Sequence, residues 1–151
     1  MEQLSFDSGI REYKINNNGL LRFNPGDPNV YARFMEASEK IQEVERAMEA
    51  KLKALDDSET NGAAVLQIIA EADKQMKETL NWVFGKGNDF DEILEGVNLM
   101  AVATNGERVV SNLLNALLPI IQEGAENCAK QQIGDAVQLA HMNRAQRRAK
   151  Q

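Results

Sequence analysis

Phe23-Asn24-Pro25-Gly26-Asp27-Pro28-Asn29-Val30 ends one structural regime and begins another. Pro25 lacks the N–H that a strand ladder needs and biases Asn24 towards extended geometry, so a strand arriving from the N-terminal side stops here. Asp27 can accept from the free N–H groups of a first helical turn, and Pro28 suits the first helical position, where no N–H is missed. The start of a helix is thus written twice.

Upstream, Tyr13 and Ile15 alternate with Glu12, Lys14 and Asn16, the period of two of a half-buried strand. Asn18-Gly19 supplies a type I′ turn signal, and Leu20-Leu21-Arg22-Phe23 returns as the partner. Two isolated strands are marginal in water, so the apolar face formed by Tyr13, Ile15, Leu21 and Phe23 has to lie on something else, either the following helices or another chain.

Downstream, Val30, Phe34, Ala37, Ile41, Val44 and Met48 recur at alternating spacings of four and three, the heptad seam of a coiled-coil-like helix, and Leu52 and Leu55 continue it. Run from Pro28 to about Asp56, this helix is about 43 Å long at 1.5 Å per residue. Glu36/Lys40 and Glu49/Lys53 stand in the favourable order four residues apart, each pair contributing only ~0.2–0.5 kcal/mol, so packing of the seam must supply most of the stability.

Asp56-Asp57-Ser58 and Asn61-Gly62 mark a break. A second helix is expected over about residues 63–84, with Val65, Ile69, Ala72, Met76, Leu80 and Val83 on one side, widened by Leu66, Ile68 and Trp82, and ended by Gly85-Lys86-Gly87. A third, capped by Asn88 or Asp89, uses Phe90, Ile93, Leu94, Val97 and Met100 and stops near Thr104-Asn105-Gly106. A fourth begins around Glu107 and is the most apolar; Pro119 inside it should kink or split it. Beyond Gly124 the apolar pattern weakens.

No run approaches the ~18 apolar residues of a membrane span, and the first residues lack a signal peptide's basic start and apolar stretch, so a cytoplasmic protein is expected. Cys128, alone, has no disulfide partner and is expected as a small buried apolar residue. Residues 1–143 hold 13 cations against 23 acids, a net of −10, whereas residues 144–151 hold four cations and no acid. An acidic body repels nucleic acid and anionic membrane, so protein is the expected partner. The basic end carries no aromatic to stack on a base.

Catalytic constellations are missing. His141 has no companion His or Cys at ligand spacing, so neither a zinc site nor a nucleophile–base triad can be assembled around it. Gly85-Lys86-Gly87 lacks the rest of a phosphate-binding loop and reads as a helix-ending linker. Asp89, Asp91, Glu92 and Glu95 fail the calcium-loop spacing and read as acids in a first helical turn. Glu71 and Asp73 read as solvated. Met48, Met76 and Met100 sit on apolar faces and read as core filling. No cofactor, no metal and no enzymatic activity are expected.

The hairpin around Tyr13-Lys14-Ile15-Asn16, then Phe23-Asn24-Pro25-Gly26-Asp27-Pro28, then Arg33-Phe34 and a long Glu/Lys helix resemble the tail assembly chaperone-like proteins of long-tailed bacteriophages and prophages of Gram-positive bacteria. The resemblance covers residues 10–50; Asn143-Arg144-Ala145-Gln146-Arg147-Arg148 is also similar to endings of small phage proteins. Where those proteins often carry Ser or Thr, this chain has Gly26, which weakens one capping contact and leaves Asp27 and Pro28 intact. The resemblance implies a non-enzymatic factor in the bacterial host cell that binds tape measure or tail tube proteins during tail building and is absent from the finished particle. A structural tail or connector protein of the virion, and a small phage regulator binding DNA or a host protein, are the alternatives.

The expected fold is mainly α: an N-terminal β-hairpin at about 11–24 followed by a bundle of four to five helices over about 28–140, the first long and coiled-coil-like. Residues 1–142 are expected to form one domain and 143–151 a basic, flexible tail. Tyr13, Ile15, Leu21, Phe23, Val30, Phe34 and Ile41 are the expected surface for a client protein or for self-association into a homo-oligomer, with Asp27 and Pro28 as the cap that positions it.

Overall fold

The computed structural model describes residues 1–55 and 61–149. In chain order it contains β1 (Arg11–Ile15), β2 (Gly19–Phe23), α1 (Pro28–Lys53), α2 (Asn61–Phe84), α3 (Phe90–Ile93) and α4 (Val109–Ala149). Among the described residues the chain is mainly α, with one antiparallel hairpin ahead of four helices.

The period of two in the hairpin sorts its side chains. Tyr13 pairs with Leu21 and Arg11 with Phe23, and on that face Leu21 and Phe23 are buried and Tyr13 and Ile15 half-buried. Glu12, Lys14, Leu20 and Arg22 point to solvent. The connection differs from the expected two-residue turn. Ile15 pairs with Gly19, so Asn16 to Asn18 make a three-residue loop, and the positive φ falls on Asn16, at 52°. Gly19 serves closeness instead: a Cβ there would collide with the carbonyl oxygen of Ile93, bringing the hairpin down onto α3.

α1 starts where the cap places it. Asp27 is extended (φ −75°, ψ 117°), its carboxylate accepts from the Asn29 N–H at 2.9 Å, and Pro28 occupies the first turn. Val30, Phe34, Ala37, Ile41 and Met48 are buried, as the heptad spacing predicts. They pack mainly along α2, which runs antiparallel: Arg33 near the start of α1 donates from Nε to the carbonyl of Val83 at the end of α2, 2.9 Å away. That guanidinium satisfies a carbonyl which the last turn leaves free. The expected end of α1 at Asp56 lies outside the described residues. Glu49, expected beside Lys53, lies 3.8 Å from Arg108.

In α2, Ala72, Met76, Leu80 and Val83 are buried as expected, but Trp82 and Leu66 are exposed and do not widen the core face. Gly85 (φ 86°) and Gly87 (φ 94°) end the helix.

The third helix is one turn, not the predicted run to Thr104. Glu95 and Gly96 both take positive φ, 54° and 77°, and the N–H groups of Gly96 and Glu95 donate to the carbonyls of Asp91 (2.8 Å) and Glu92 (3.0 Å). This is a Schellman ending, and it stops α3 although the apolar spacing continues. Beyond it, turns tied by an isolated Val102–Arg108 bridge carry the chain to α4.

α4 is continuous from Val109 to Ala149, so Pro119 does not split it and the described part of the basic tail, to residue 149, continues the helix. It runs antiparallel to α1: Arg108, just before it, pairs with Glu45 at 2.7 Å, and Gly124 lies against the backbone of Pro25 and Gly26, ahead of α1. A Cβ at Gly124 would collide with the Pro25 carbonyl. Val110, Leu113, Leu117 and Ile121 are buried; past Ile121 no residue is, as far as Arg144. Among the described residues, no helix is long and apolar enough to cross a membrane.

Candidate interaction surface

The junction from Phe23 to Phe34 is held by local hydrogen bonds and close packing. Asn24 Oδ1 accepts from the Gly26 N–H at 2.9 Å, and the Asn24 carbonyl accepts from the Asp27 N–H at 3.2 Å, so the chain turns sharply between strand and helix. Pro25 is buried in that turn and abuts Gly124. An aromatic run then links the hairpin to the helices: Tyr13 stacks on Phe23 (4.9 Å between centroids), Phe23 meets Phe84 edge-on (4.9 Å), and Phe84 meets Phe90 (5.5 Å). Such contacts each add about 0.5–1.5 kcal/mol beyond burial.

This geometry places the expected interaction residues inside the chain. Leu21, Phe23, Val30, Phe34 and Ile41 are all buried at 4% exposure or less, packed on α2, α3 and one another. The hairpin face packs on α3 and on Phe84 of α2, the α1 seam packs mainly on α2, and those five side chains are left with nothing to offer a second protein. The physical reason is that α2 and α3 supply the apolar face a two-stranded hairpin needs. Tyr13 and Ile15 are different. Half-buried, they border a groove between β1 and α4. Asp27 and Pro28 cap α1 as expected.

A polar cluster beneath the aromatic run escapes a reading of the sequence. Lys77, with 6% of its side chain exposed, reaches Asp91 Oδ1 at 2.6 Å and Asp73 Oδ2 at 2.9 Å, and the other Asp73 oxygen accepts from the Leu99 N–H at 2.7 Å. Asp73, expected to be solvated, is thus held in a pair that staples α2 to α3 and to the turn after it. Burial pulls the Lys77 ammonium down, but hydrogen bonds to Asp91 and Asp73 and their charges outweigh it and hold the group above its usual range. The signal was present: Asp73, Met76, Lys77 and Leu80 occupy one helical stripe, and a lysine there needs partners. Asn88, weighed only as a cap, braces β2: its amide accepts from the Arg22 N–H at 3.0 Å and donates to the Arg22 carbonyl at 2.8 Å and the Phe84 carbonyl at 3.0 Å. Asp89 is the cap of α3, accepting from the Asp91 N–H at 3.1 Å.

Comparison of the chain with protein-family models, curated proteins and solved structures finds no match in any of the three. Function therefore has to be argued from the surface itself. Among the described residues, no three His, Cys, Asp or Glu side chains gather as a ligand set. His141 is exposed on α4, and Cys128, expected to be buried, is half-buried on the same helix.

The unpartnered surface is the second half of α4. From Ala129 to Arg144 every residue is exposed, including Ile133 (65%), Leu139 (59%), Met142 (52%) and Val137 (51%). Ile133, Val137 and Ala140 follow at spacings of four and three, one side of a helix. Leu139 and Met142, also exposed, stand on the opposite side of the helix.

Proposed function

We propose that the chain is a non-enzymatic assembly chaperone of the phage-tail kind that residues 10–50 resemble, holding an apolar segment of a tape measure or tail tube protein while a tail is built. One observation carries the reading: the exposed half of α4. Beyond Ile121 the helix continues for 28 residues, to Ala149, about 42 Å of helix with apolar side chains and no buried residue as far as Arg144. A lone helix gains most of its stability from packing, so such an arm is suited to a helical segment of another chain laid along Ile133 and Val137. The rigid body below it supplies a fixed base, Gly124 locking the helix against the Pro25 turn.

Acidic charge fits the same reading. Nucleic acid would have to approach a body of net charge −10.

Co-expression with tape measure and tail tube proteins, followed by affinity capture, tests this directly. Wild type should retain at least one of them, and an Ile133→Asp/Val137→Asp variant should lose at least about tenfold in binding without loss of folding, because both side chains are exposed. If wild type captures neither protein, the assignment is abandoned. Mass spectrometry of purified particles separates a chaperone, which should be missing, from a structural component, which should be present.

A further inference from the structure

The two edges of the hairpin are unequal. The N–H and the carbonyl of Arg22 are both taken by the Asn88 amide, so they point away from β1. Glu12, opposite Arg22, must then turn its own N–H and carbonyl away from β2, and Lys14, two residues on, does the same. Asn88 covers the β2 edge at Arg22. Among the described residues nothing closes the β1 edge, and unpaired edges are templates for a further strand. Along that edge, between β1 and α4, runs a groove of about 710 Å3 whose walls include Tyr13, Ile15, Val97, Val109, Ala116 and Ile120. Lys14 is the only charged side chain among the described residues that line it.

The chain carries a segment that fits this groove. Residues 1–10 are all exposed, and Leu4 (87%) and Phe6 (79%) touch almost nothing. They alternate with Gln3, Ser5 and Asp7, which gives an extended segment one apolar face. Glu2 and Asp7 bracket the apolar pair, complementary in sign to Lys14 and Arg11 at the free edge. The segment is turned from its own β1. Asn24 Nδ2 donates to the Ser8 carbonyl at 3.2 Å, and Gly9 (φ 77°) passes so close that a Cβ would lie 2.7 Å from the Asn24 amide nitrogen. Those contacts tie the root of the arm to the continuation of β2.

We propose that the arm of one copy adds as a strand to the β1 edge of a second copy, with Leu4 and Phe6 entering the groove between β1 and α4. The seven residues ahead of Ser8 span at most about 23 Å, enough to cross to a neighbour packed against this face. Reciprocal exchange gives a closed dimer with two identical arm–groove contacts. Because both the arm and the groove belong to this chain, the contact forms without any client.

Sedimentation velocity of the full chain across a wide concentration range tests the proposal with two variants. Leu4→Asp/Phe6→Asp spoils the arm, and it cannot unfold the body because both side chains are exposed in it. Lys14→Pro removes an outward N–H from the free edge while leaving the β1–β2 bonds, which come from Arg11, Tyr13 and Ile15. Wild type should dimerise, and each variant should weaken the dimer at least about tenfold. An equimolar mixture of the two should recover heterodimer through the one intact arm and the one intact groove. A wild type that is monomeric throughout, or a dimer indifferent to Leu4→Asp/Phe6→Asp, overturns the proposal. So does a monomer in which Leu4 and Phe6 are protected, since the arm would then have closed on its own edge.

Discussion

From Val109 to Ile121, α4 puts Val110, Leu113, Leu117 and Ile121 against the rest of the chain; from Gln122 to Arg144 the same unbroken helix buries nothing. Two glycines follow Ile121. Gly124 is pressed so closely on the Pro25–Gly26 turn that no side chain fits, whereas Gly134 has nothing near it. One helix thus serves two purposes. Its first part is a core element whose residues are fixed by neighbours, and the stretch from Ala129 to Arg144 is an exposed surface whose residues are fixed only by helical hydrogen bonds.

The sharpest way to break that contrast is to delete apolar side chains from the two kinds of region. Phe34→Ala, at 1% exposure in the core, should cost about 3–5 kcal/mol in chemical denaturation, whereas Ile133→Ala should stay within about 0.5 kcal/mol. Comparable losses would mean that the exposed half of α4 is packed on something within the chain.

Next in size is the ion-pair staple under the core. Lys77→Met should cost about 2–3 kcal/mol, below the value for a fully enclosed pair because Asp91 is two-thirds exposed, and it leaves the half-buried Asp73 carboxylate with only the Leu99 N–H. The Lys77 value is raised in the folded state, so its stabilisation is complete below the ordinary lysine value of 10.5 and is lost as pH rises through the folded value. Denaturation midpoints of wild type should therefore fall above about pH 10.5 more steeply than those of Lys77→Met.

The glycine pair gives the smaller effects, of opposite sign. Gly124→Ala should destabilise by about 1–3 kcal/mol, the overlap with the Pro25 carbonyl exceeding the gain in helix propensity. Gly134→Ala should leave global stability unchanged and raise helicity locally, by up to about 1 kcal/mol of propensity. Circular dichroism with denaturation of both variants separates the two outcomes.

Much of this architecture is legible in the residues. The alternation of Tyr13 and Ile15, the doubled signal of Asp27 and Pro28, and the four–three spacing from Val30 to Met48 each have a local physical cause, and each element forms where that cause lies. What misleads is whatever depends on distant partners. The apolar spacing after Phe90 predicts a longer helix because nothing in it reveals that Glu95 will adopt positive φ. Asn18-Gly19 carries a turn signal, yet Gly19 is required by the carbonyl of Ile93, which no local pattern can disclose. The hairpin face and the α1 seam are each sticky in isolation, and only the fold shows that they meet the same helices. Of the expected interaction residues, Tyr13 and Ile15 alone keep a way outward. The free half of α4, read from sequence as a weakening pattern and a loose tail, becomes informative once its exposure is set against the buried half.

Hydrogen–deuterium exchange followed along α4 tests the central claim most directly, first on the isolated chain and then with the co-expressed tape measure or tube protein. Strong protection from Val110 to Ile121 and rapid exchange beyond Lys130 is expected in the isolated chain, with protection spreading over Ile133 to Met142 when the partner is bound. Uniform protection of the whole helix in the isolated monomer, or no change beyond Lys130 in a complex that demonstrably forms, would contradict it.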